Sequence, residues 1–436
     1  MKCFAKTVYV VLFFLIVTTS SCTVIPNIQL ETNEPLVVSS PSIAPAIAAT
    51  TSIQSTSCWE ISKNTEPISG GFVYRNRDNG QVFVWDPSSF HTQPITNFPD
   101  ELLDSFNIST SHDGAMLLGL SKNNKLFLIS RDQVRSFHLS GGDYGYIESL
   151  SNGNVRLLLS DRSLGSYQEG RGLTAKYAIF DPVTGELSES SVFLPNFLIG
   201  PHNLASLQYS PDMRYAIYLS GYIHYAPQYT LFDMVKNEIV WTGPKTSSDM
   251  IADAGRMPVW NPISNVLTYS FITDQNKFGN YYFISLDGEL TQMTQFEQTE
   301  IMGLYGGWLA NPSWSPDGRY LAFKAAQGAD GPIRLYIWDN IKKVALMPCL
   351  PDEDLIDVGY VGNWSFDSAH FLITLGYPNK DLSDGSPLFV RYNTVVLDMF
   401  SNSIIELPDQ DHRGEYTSLY GDGHNELLGW VNWEIP

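Results

Sequence analysis

The chain has 436 residues, 43% apolar, 13% aromatic and 17% charged. This composition excludes collagen-like, coiled-coil and wholly disordered chains. Asp and Glu outnumber Lys and Arg 46 to 26, a net charge of -20. So acidic a surface repels phosphate backbones and anionic lipid heads, which excludes nucleic acid as a partner and disfavours peripheral adsorption to a membrane.

The first predicted element is an address. Lys2 and Lys6 precede an apolar run from Val8 to Val17, too short to persist as a membrane span. Thr18, Thr19, Ser20 and Ser21 then lead to Cys22. The segment resembles a bacterial lipoprotein signal, with Thr19 where that pattern commonly has Leu. The resemblance implies removal of residues 1–21 and acylation of Cys22, which places the protein extracytoplasmically in the cell envelope. Acyl chains would anchor it there, at ~0.8 kcal/mol per buried CH₂.

Residues 22–69 read as the lipidated Cys and a flexible tether. The stretch 23–57 is rich in Ser, Thr, Pro, Ala and Ile and has no Lys or Arg. It cannot bury enough apolar surface to offset its ordering entropy, and its reach is on the order of 30 Å. Of four cysteines, Cys3 leaves with the signal and Cys22 carries lipid, so Cys58 and Cys349 remain. In an oxidising compartment they either pair, stapling the tether's end to the folded domain, or stay as two free thiols. No CxxC occurs, so a cysteine zinc site is excluded.

From residue 70 onward an internal repeat organises the chain. An apolar run closing on Asp or Ser recurs as VFVWD (82–86), LFLIS (126–130), YAIFD (177–181), YTLFD (229–233), YYFIS (281–285), LYIWD (335–339) and TVVLD (394–398). The copies are about 50 residues apart, a strong repeat signal. Six are preceded by a turn followed by a β-rich run, clearest in PSWSPDGRYLAF (312–323). Ser, Pro, Asp, Asn and Gly build these turns, and β-branched and aromatic residues flank them. Each repeat therefore carries four antiparallel strands, a to d. One short helical candidate, FPDELLDSF (98–106), interrupts the pattern.

The expected fold is an all-β seven-bladed propeller over 70–436, with six or eight blades as alternatives. The first repeat starts at Gly70 with strand b, so GWVNW near the C-terminus supplies its innermost strand and closes the ring. EYTSLYGDGHNELLGW (415–430) supplying both a and b is the other closure. PSWSPDGRYLAF followed by LYIWD resembles the repeat of TolB-type propellers, relatives of WD-repeat proteins. The resemblance is full in the sixth repeat and degenerate in the others. It implies that Ser315, Asp317 and Gly318 are turn formers.

Catalytic signatures are absent: no G-x-S-x-G, H-E-x-x-H, P-loop or GxGxxG occurs. The eight His are dispersed, and His112 and His370 at blade turns read as structural. No metal site and no cofactor are expected. The one cation candidate is calcium at loop acids such as Asp352, Asp354, Asp381, Asp384, Asp409 and Asp411. Trp85, Trp314, Trp338, Trp364 and Trp433 read as packing residues.

Loops joining b to c and d to a share one face of a propeller, and loops on a rigid scaffold commonly carry binding. Candidates are 140–148, 161–175, 221–228, 301–311 and 376–390. Their ligand-binding candidates are Asp143, Tyr144, Tyr146, Arg171, Tyr222, His224, Tyr225, Tyr305 and Trp308. Tyr and Trp offer flat amphipathic area with little rotamer entropy to lose. The expectation is a monomeric, non-enzymatic binding or assembly module for an envelope protein or glycan. The alternative is an envelope glycan hydrolase or lyase using carboxylates on this face.

Overall fold

Strand b of the sixth repeat shows how the sequence builds a ring. In Tyr320–Ala326 the side chains alternate: Tyr320 and Ala322 pack towards the next blade, Leu321, Phe323 and Ala325 towards the previous one. A period of two with both faces apolar needs a neighbour on each side, and only a closed ring gives every blade two. The buried apolar residues accordingly fall into seven clusters, one at each blade–blade contact. Leu321, Ala322, Phe323 and Ile337 are all fully buried; burying a Leu, Ile or Phe side chain contributes about 1.5–3 kcal/mol.

The computed structural model describes residues 53–58, 60–61, 68, 70–76, 80–86, 91–103, 107–140, 144–159, 167–168, 172–197, 207–222, 225–243, 258–273, 276–294, 309–326, 333–350, 357–378, 390–406 and 425–433. All lie in the compact unit Ala46–Pro436. Their strands make seven sheets. In order a to d, blade 1 is Asn425–Val431, Gly71–Asn76, Val82–Asp86 and His91–Pro94. Blade 2 is Ile108–Thr110, Leu117–Leu120, Lys125–Ile129 and Val134–His138. Blade 3 is Tyr144–Ser149, Val155–Leu159, Gly172–Phe180 and Leu187–Pro195. Blade 4 is Gln208–Tyr209, Tyr215–Tyr222, Tyr225–Asp233 and Glu238–Thr242. Blade 5 is Val259–Trp260, Leu267–Thr273, Asn276–Ile284 and Leu290–Gln292. Blade 6 is Leu309–Trp314, Tyr320–Ala326, Ile333–Asp339 and Val344–Cys349. Blade 7 is Asp357–Trp364, His370–Pro378, Val390–Asp398 and Ser403–Glu406.

The ring closes as expected. Asn425–Val431 pairs antiparallel with Gly71–Asn76, so both chain ends share blade 1. Among the described residues this one C-terminal strand joins blade 1 and strand b is Gly71–Asn76, which disposes of the closure that takes both a and b from 415–430. Trp430 packs on Phe72, and buried Trp433 donates its indole N–H to the Ala115 carbonyl of blade 2 at 3.0 Å. The helical candidate at 98–106 is a single 3₁₀ turn, Asp100–Leu102, that drops Leu102 into the contact between blades 1 and 2.

Two features depart from expectation. Within the segment 22–69, read as a flexible tether, Ile53–Cys58 and Glu60–Ile61 are strands. They pair parallel with strand d of blade 6 and of blade 7. The outer edge of strand d presents unpaired backbone groups, and IQSTSC, uncharged and free of Pro, can cover it. In blade 3, Gly172–Phe180 reaches back into the expected loop 161–175 and pairs along its whole length with Leu187–Pro195. Leu173 and Ala175 are therefore core residues. Gly172 holds φ +141, and a Cβ there would lie 2.2 Å from the Leu194 carbonyl oxygen.

Candidate functional site

In a four-stranded meander the a–b and c–d turns share one face, and the b–c and d–a connections share the other.

On the first face the turns are locked by their own side chains. In blade 6, Ser315 Oγ donates to Asp317 Oδ1 at 2.6 Å and accepts the Tyr320 amide at 2.8 Å. Asp317 Oδ1 also accepts the Arg319 amide at 3.0 Å. Ser210, Asp212 and Tyr215 repeat this geometry in blade 4, and Ser365, Asp367 and His370 in blade 7. The resemblance-based reading of Ser315, Asp317 and Gly318 as turn formers fits these bonds. Burial pushes the Asp212 and Asp367 carboxyls up, but their hydrogen bonds win and hold both below the ordinary carboxylate range.

The turns also link blade to blade. Asn265 donates to Asp212 at 2.6 Å, Asn261 to the Gly318 carbonyl at 2.8 Å, and the Asp317 amide to Ser368 Oγ at 3.0 Å. His112 donates its amide to Ser149 Oγ at 2.8 Å. His370 is buried, 3.8 Å from Asp367 and stacked on Trp430.

Four of the c–d turns are built by the Asp that closes strand c. Asp181, Asp233, Asp339 and Asp398 accept the amide two residues on, from Val183, Val235, Ile341 and Phe400. Those four apolar side chains stand in solvent, 72–89% exposed. Sequence reasoning passed over them, although DPV, DMV, DNI and DMF form a visible series.

The opposite face carries the candidate binding residues. In blade 4 strands b and c pair over a long register. Among the described residues strand a pairs with Ala216 and Ile217, and strands b and c stay paired up to Tyr222 opposite Tyr225. The end of blade 3 braces this hairpin. Phe197 bridges to Ser220 and stacks on Tyr218 at 5.6 Å, and the Gly221 amide donates to the Asn196 carbonyl at 3.0 Å. Tyr218 donates to the Pro195 carbonyl at 3.0 Å, and Ser220 and Thr230 share a buried hydroxyl contact at 2.5 Å. Gly221 holds φ +128, a backbone state that glycine tolerates best. Tyr222 and Tyr225 thus occupy facing register positions at the tip of a stiffened hairpin.

Tyr144 and Tyr146 lie on strand a of blade 3, not in a loop, and they differ. Tyr146 is 54% exposed. Tyr144 is buried between blades 2 and 3. Its amide donates to Asn124 Oδ1 at 3.1 Å and its hydroxyl reaches Glu189 at 3.5 Å. Burial and the Glu189 charge push its hydroxyl pKa up to about 12. Tyr144 is therefore corrected from a ligand contact to a packing residue.

Next to Tyr146 on the same strand, Glu148 pairs with the buried Arg156. Arg156 in turn lies over the Tyr209 ring at 5.2 Å and ties blade 3 to blade 4.

Cys22, Asp143, Arg171, His224, Tyr305 and Trp308 lie outside the described residues, as do Asp352, Asp354, Asp381, Asp384, Asp409 and Asp411. Among the described residues no group of three His, Cys, Asp or Glu is placed to hold a metal ion, and no helix is long and apolar enough to cross a membrane. The five tryptophans read as packing residues are all buried.

No family model and no curated protein matches the chain. Solved structures do. A puromycin hydrolase mutant complexed with PGG is 13% identical over 84% of this chain and 57% of its own, with a TM-score of 0.47. TolB from Acinetobacter baumannii is 11% identical over 78% of this chain and 63% of its own, with a TM-score of 0.35. The β-propeller domain of the Trilobed protease from Pyrococcus furiosus is 14% identical over 69% of this chain and 83% of its own, with a TM-score of 0.40. The chain spans less than two thirds of the puromycin hydrolase and of TolB. It is a seven-bladed β-propeller that distantly resembles the TolB and puromycin-hydrolase propellers.

Proposed function

We propose that this propeller is a lipid-anchored, extracytoplasmic binding module that recognises an envelope protein or glycan without catalysis. Its b–c and d–a face is the recognition face, centred on the blade 4 hairpin. The carrying observation is what the described residues form on each face. On one, Ser and Asp side chains are engaged by turn amides and neighbouring blades. On the other, a hairpin braced by the end of blade 3 places Tyr222 opposite Tyr225 in register. His224 lies between them in sequence; Asp143, Arg171, Tyr305 and Trp308 fall between strands in sequence, and exposed Tyr146 lies on strand a of blade 3.

Ile53 pairs with Ala345, immediately after the blade 6 c–d turn that displays Ile341. The described chain thus starts, at Ile53, on the c–d side, opposite the proposed recognition face. Exposed Val183, Val235, Ile341 and Phe400 tip that same c–d side.

Two variants test the reading. Cys22→Ser should move the protein from the membrane to the soluble envelope fraction; retention at the wild-type level overturns the anchor. Tyr222→Ala with Tyr225→Ala should weaken capture of partner from envelope extract with little change in thermal midpoint. Unchanged capture with a lowered midpoint assigns both tyrosines to packing and overturns the site.

A further inference from the structure

The strand Ile53–Cys58 ends where strand d of blade 6, Val344–Cys349, ends. Their last residues are register partners: Cys58 lies opposite Cys349 in the parallel ladder. Paired strands lie about 4.8 Å apart, inside the ~4.4–6.8 Å of Cα separation that a disulfide spans. The register slips between Ser55 and Cys58, so the backbone leaves regular ladder geometry here and has room to adjust the approach of the two residues.

Only four cysteines occur in the chain. One lies in the leader-like run and one at the acylation motif; the other two, far apart in sequence, face each other across one ladder. We propose that Cys58 and Cys349 form a disulfide that moors the N-terminal strand to the outer edge of the propeller.

The strand is more than a local patch. After Cys58 the chain continues to Glu60–Ile61, which pairs with Ser403 and Ile404 on blade 7. The segment is a strap across the outer edges of two adjacent blades. An added outermost strand held by one edge of hydrogen bonds peels easily. A covalent bond at Cys58 passes any pull on the tether into blade 6 instead. It also keeps the edges of blades 6 and 7 covered against pairing with another chain.

The chemistry balances by exchange with a disulfide oxidant, an envelope thiol–disulfide oxidase or oxidised glutathione in vitro. One cysteine thiolate attacks a sulfur of the oxidant, forming a mixed disulfide and expelling the first thiolate. The second cysteine thiolate attacks the protein sulfur of that mixed disulfide and expels the other. The two cysteines lose two electrons and two protons, and the oxidant leaves as two thiols.

The test uses the full chain equilibrated with oxidised glutathione, alkylated without reductant and digested. A cross-linked peptide holding Cys58 and Cys349 is expected; both residues recovered alkylated or glutathionylated overturn the proposal. Thermal melting gives a second readout. Reductant should lower the midpoint of the oxidised protein by roughly 5 °C. Cys58→Ser, a change on the added strand alone, should lower it equally and abolish the response to reductant. A midpoint that reductant shifts as much in Cys58→Ser as in wild type overturns the pairing.

Discussion

Arg214 Nη2 donates to Asp233 Oδ2 at 2.9 Å, joining the a–b turn of blade 4 to its c–d turn. Arg319 and Asp339 repeat the link in blade 6 at 3.3 Å. The partners are not equivalent. The Asp233 side chain is 1% exposed and also accepts the Val235 and Lys236 amides, whereas Arg214 is 40% exposed. Asp233→Ala strips the Arg214 guanidinium and two backbone amides of their acceptor and should cost about 1–3 kcal/mol. Arg214→Ala should cost about 1 kcal/mol or less, as for an exposed ion pair. Urea denaturation checks the order of the two; Arg214→Ala as the larger loss would contradict this division of labour.

Gly318 should tolerate no side chain. Its φ is +68, and a Cβ would fall 2.5 Å from Asn261 Oδ1, on the hydrogen bond that joins blades 5 and 6. Gly153, at φ +85, has open space around it. Gly153→Ala should cost about 1 kcal/mol, the strain of a left-handed residue. Gly318→Ala should cost clearly more, measured as the difference between their unfolding free energies.

The closure of the ring can be read at Trp433. The side chain is buried and its indole N–H reaches from blade 1 to blade 2. Trp433→Ala should cost about 3–5 kcal/mol. Trp433→Phe keeps most of the packing and loses one hydrogen bond, about 1 kcal/mol. Equal midpoints for wild type and Trp433→Ala would show that the C-terminal latch carries no stability.

Stability should fall at both ends of the pH range. Asp113, Asp212, Asp233 and Asp367 feel burial that raises them, but hydrogen bonds hold all four below the usual carboxylate range. A depressed carboxyl stabilises above its unfolded value, about 4, and that contribution is lost as pH falls through the folded values. Burial raises Tyr209, Tyr218 and Tyr229, and burial with Glu189 takes Tyr144 to about 12. A raised phenol stabilises fully below about 10 and loses that contribution as pH climbs through its folded value. Thermal midpoints measured against pH should be flat between these limits and drop outside them. A midpoint that holds to pH 2 would contradict the acid limb.

The architecture was legible because each repeat states it again. The seven apolar runs closing on Asp or Ser all lie in strand c, and the turn before Tyr320 forms as its Ser, Asp and Gly imply. Periodicity of two and turn chemistry are local, and a ring multiplies each local signal by seven. The candidate site was less legible. Tyr144 and Tyr146 are two residues apart in one Gly- and aromatic-rich stretch, yet one is buried and the other exposed. A bulge between them and the neighbouring Asn124 decide that, and neither is encoded in the stretch itself.

The sequence favoured seven blades over six or eight, and indicated the strand order within each blade and a C-terminal contribution to blade 1, since all three follow from repeated short-range patterns. The pairing of Asn425–Val431 with Gly71–Asn76 chose between the two closures. Tertiary structure alone decided what the edges do. Ile53–Cys58 has a composition that reads as tether, and it becomes a strand because blade 6 offers an unpaired parallel edge. Gly172–Phe180 outgrows its loop because Leu187–Pro195 can pair along all of it. Cys58 and Cys349 become neighbours only once the intervening blades have curled round to set one strand beside the other. Contacts between segments so distant in the chain leave no period in the sequence; they depend on surfaces that exist only after the ring has formed.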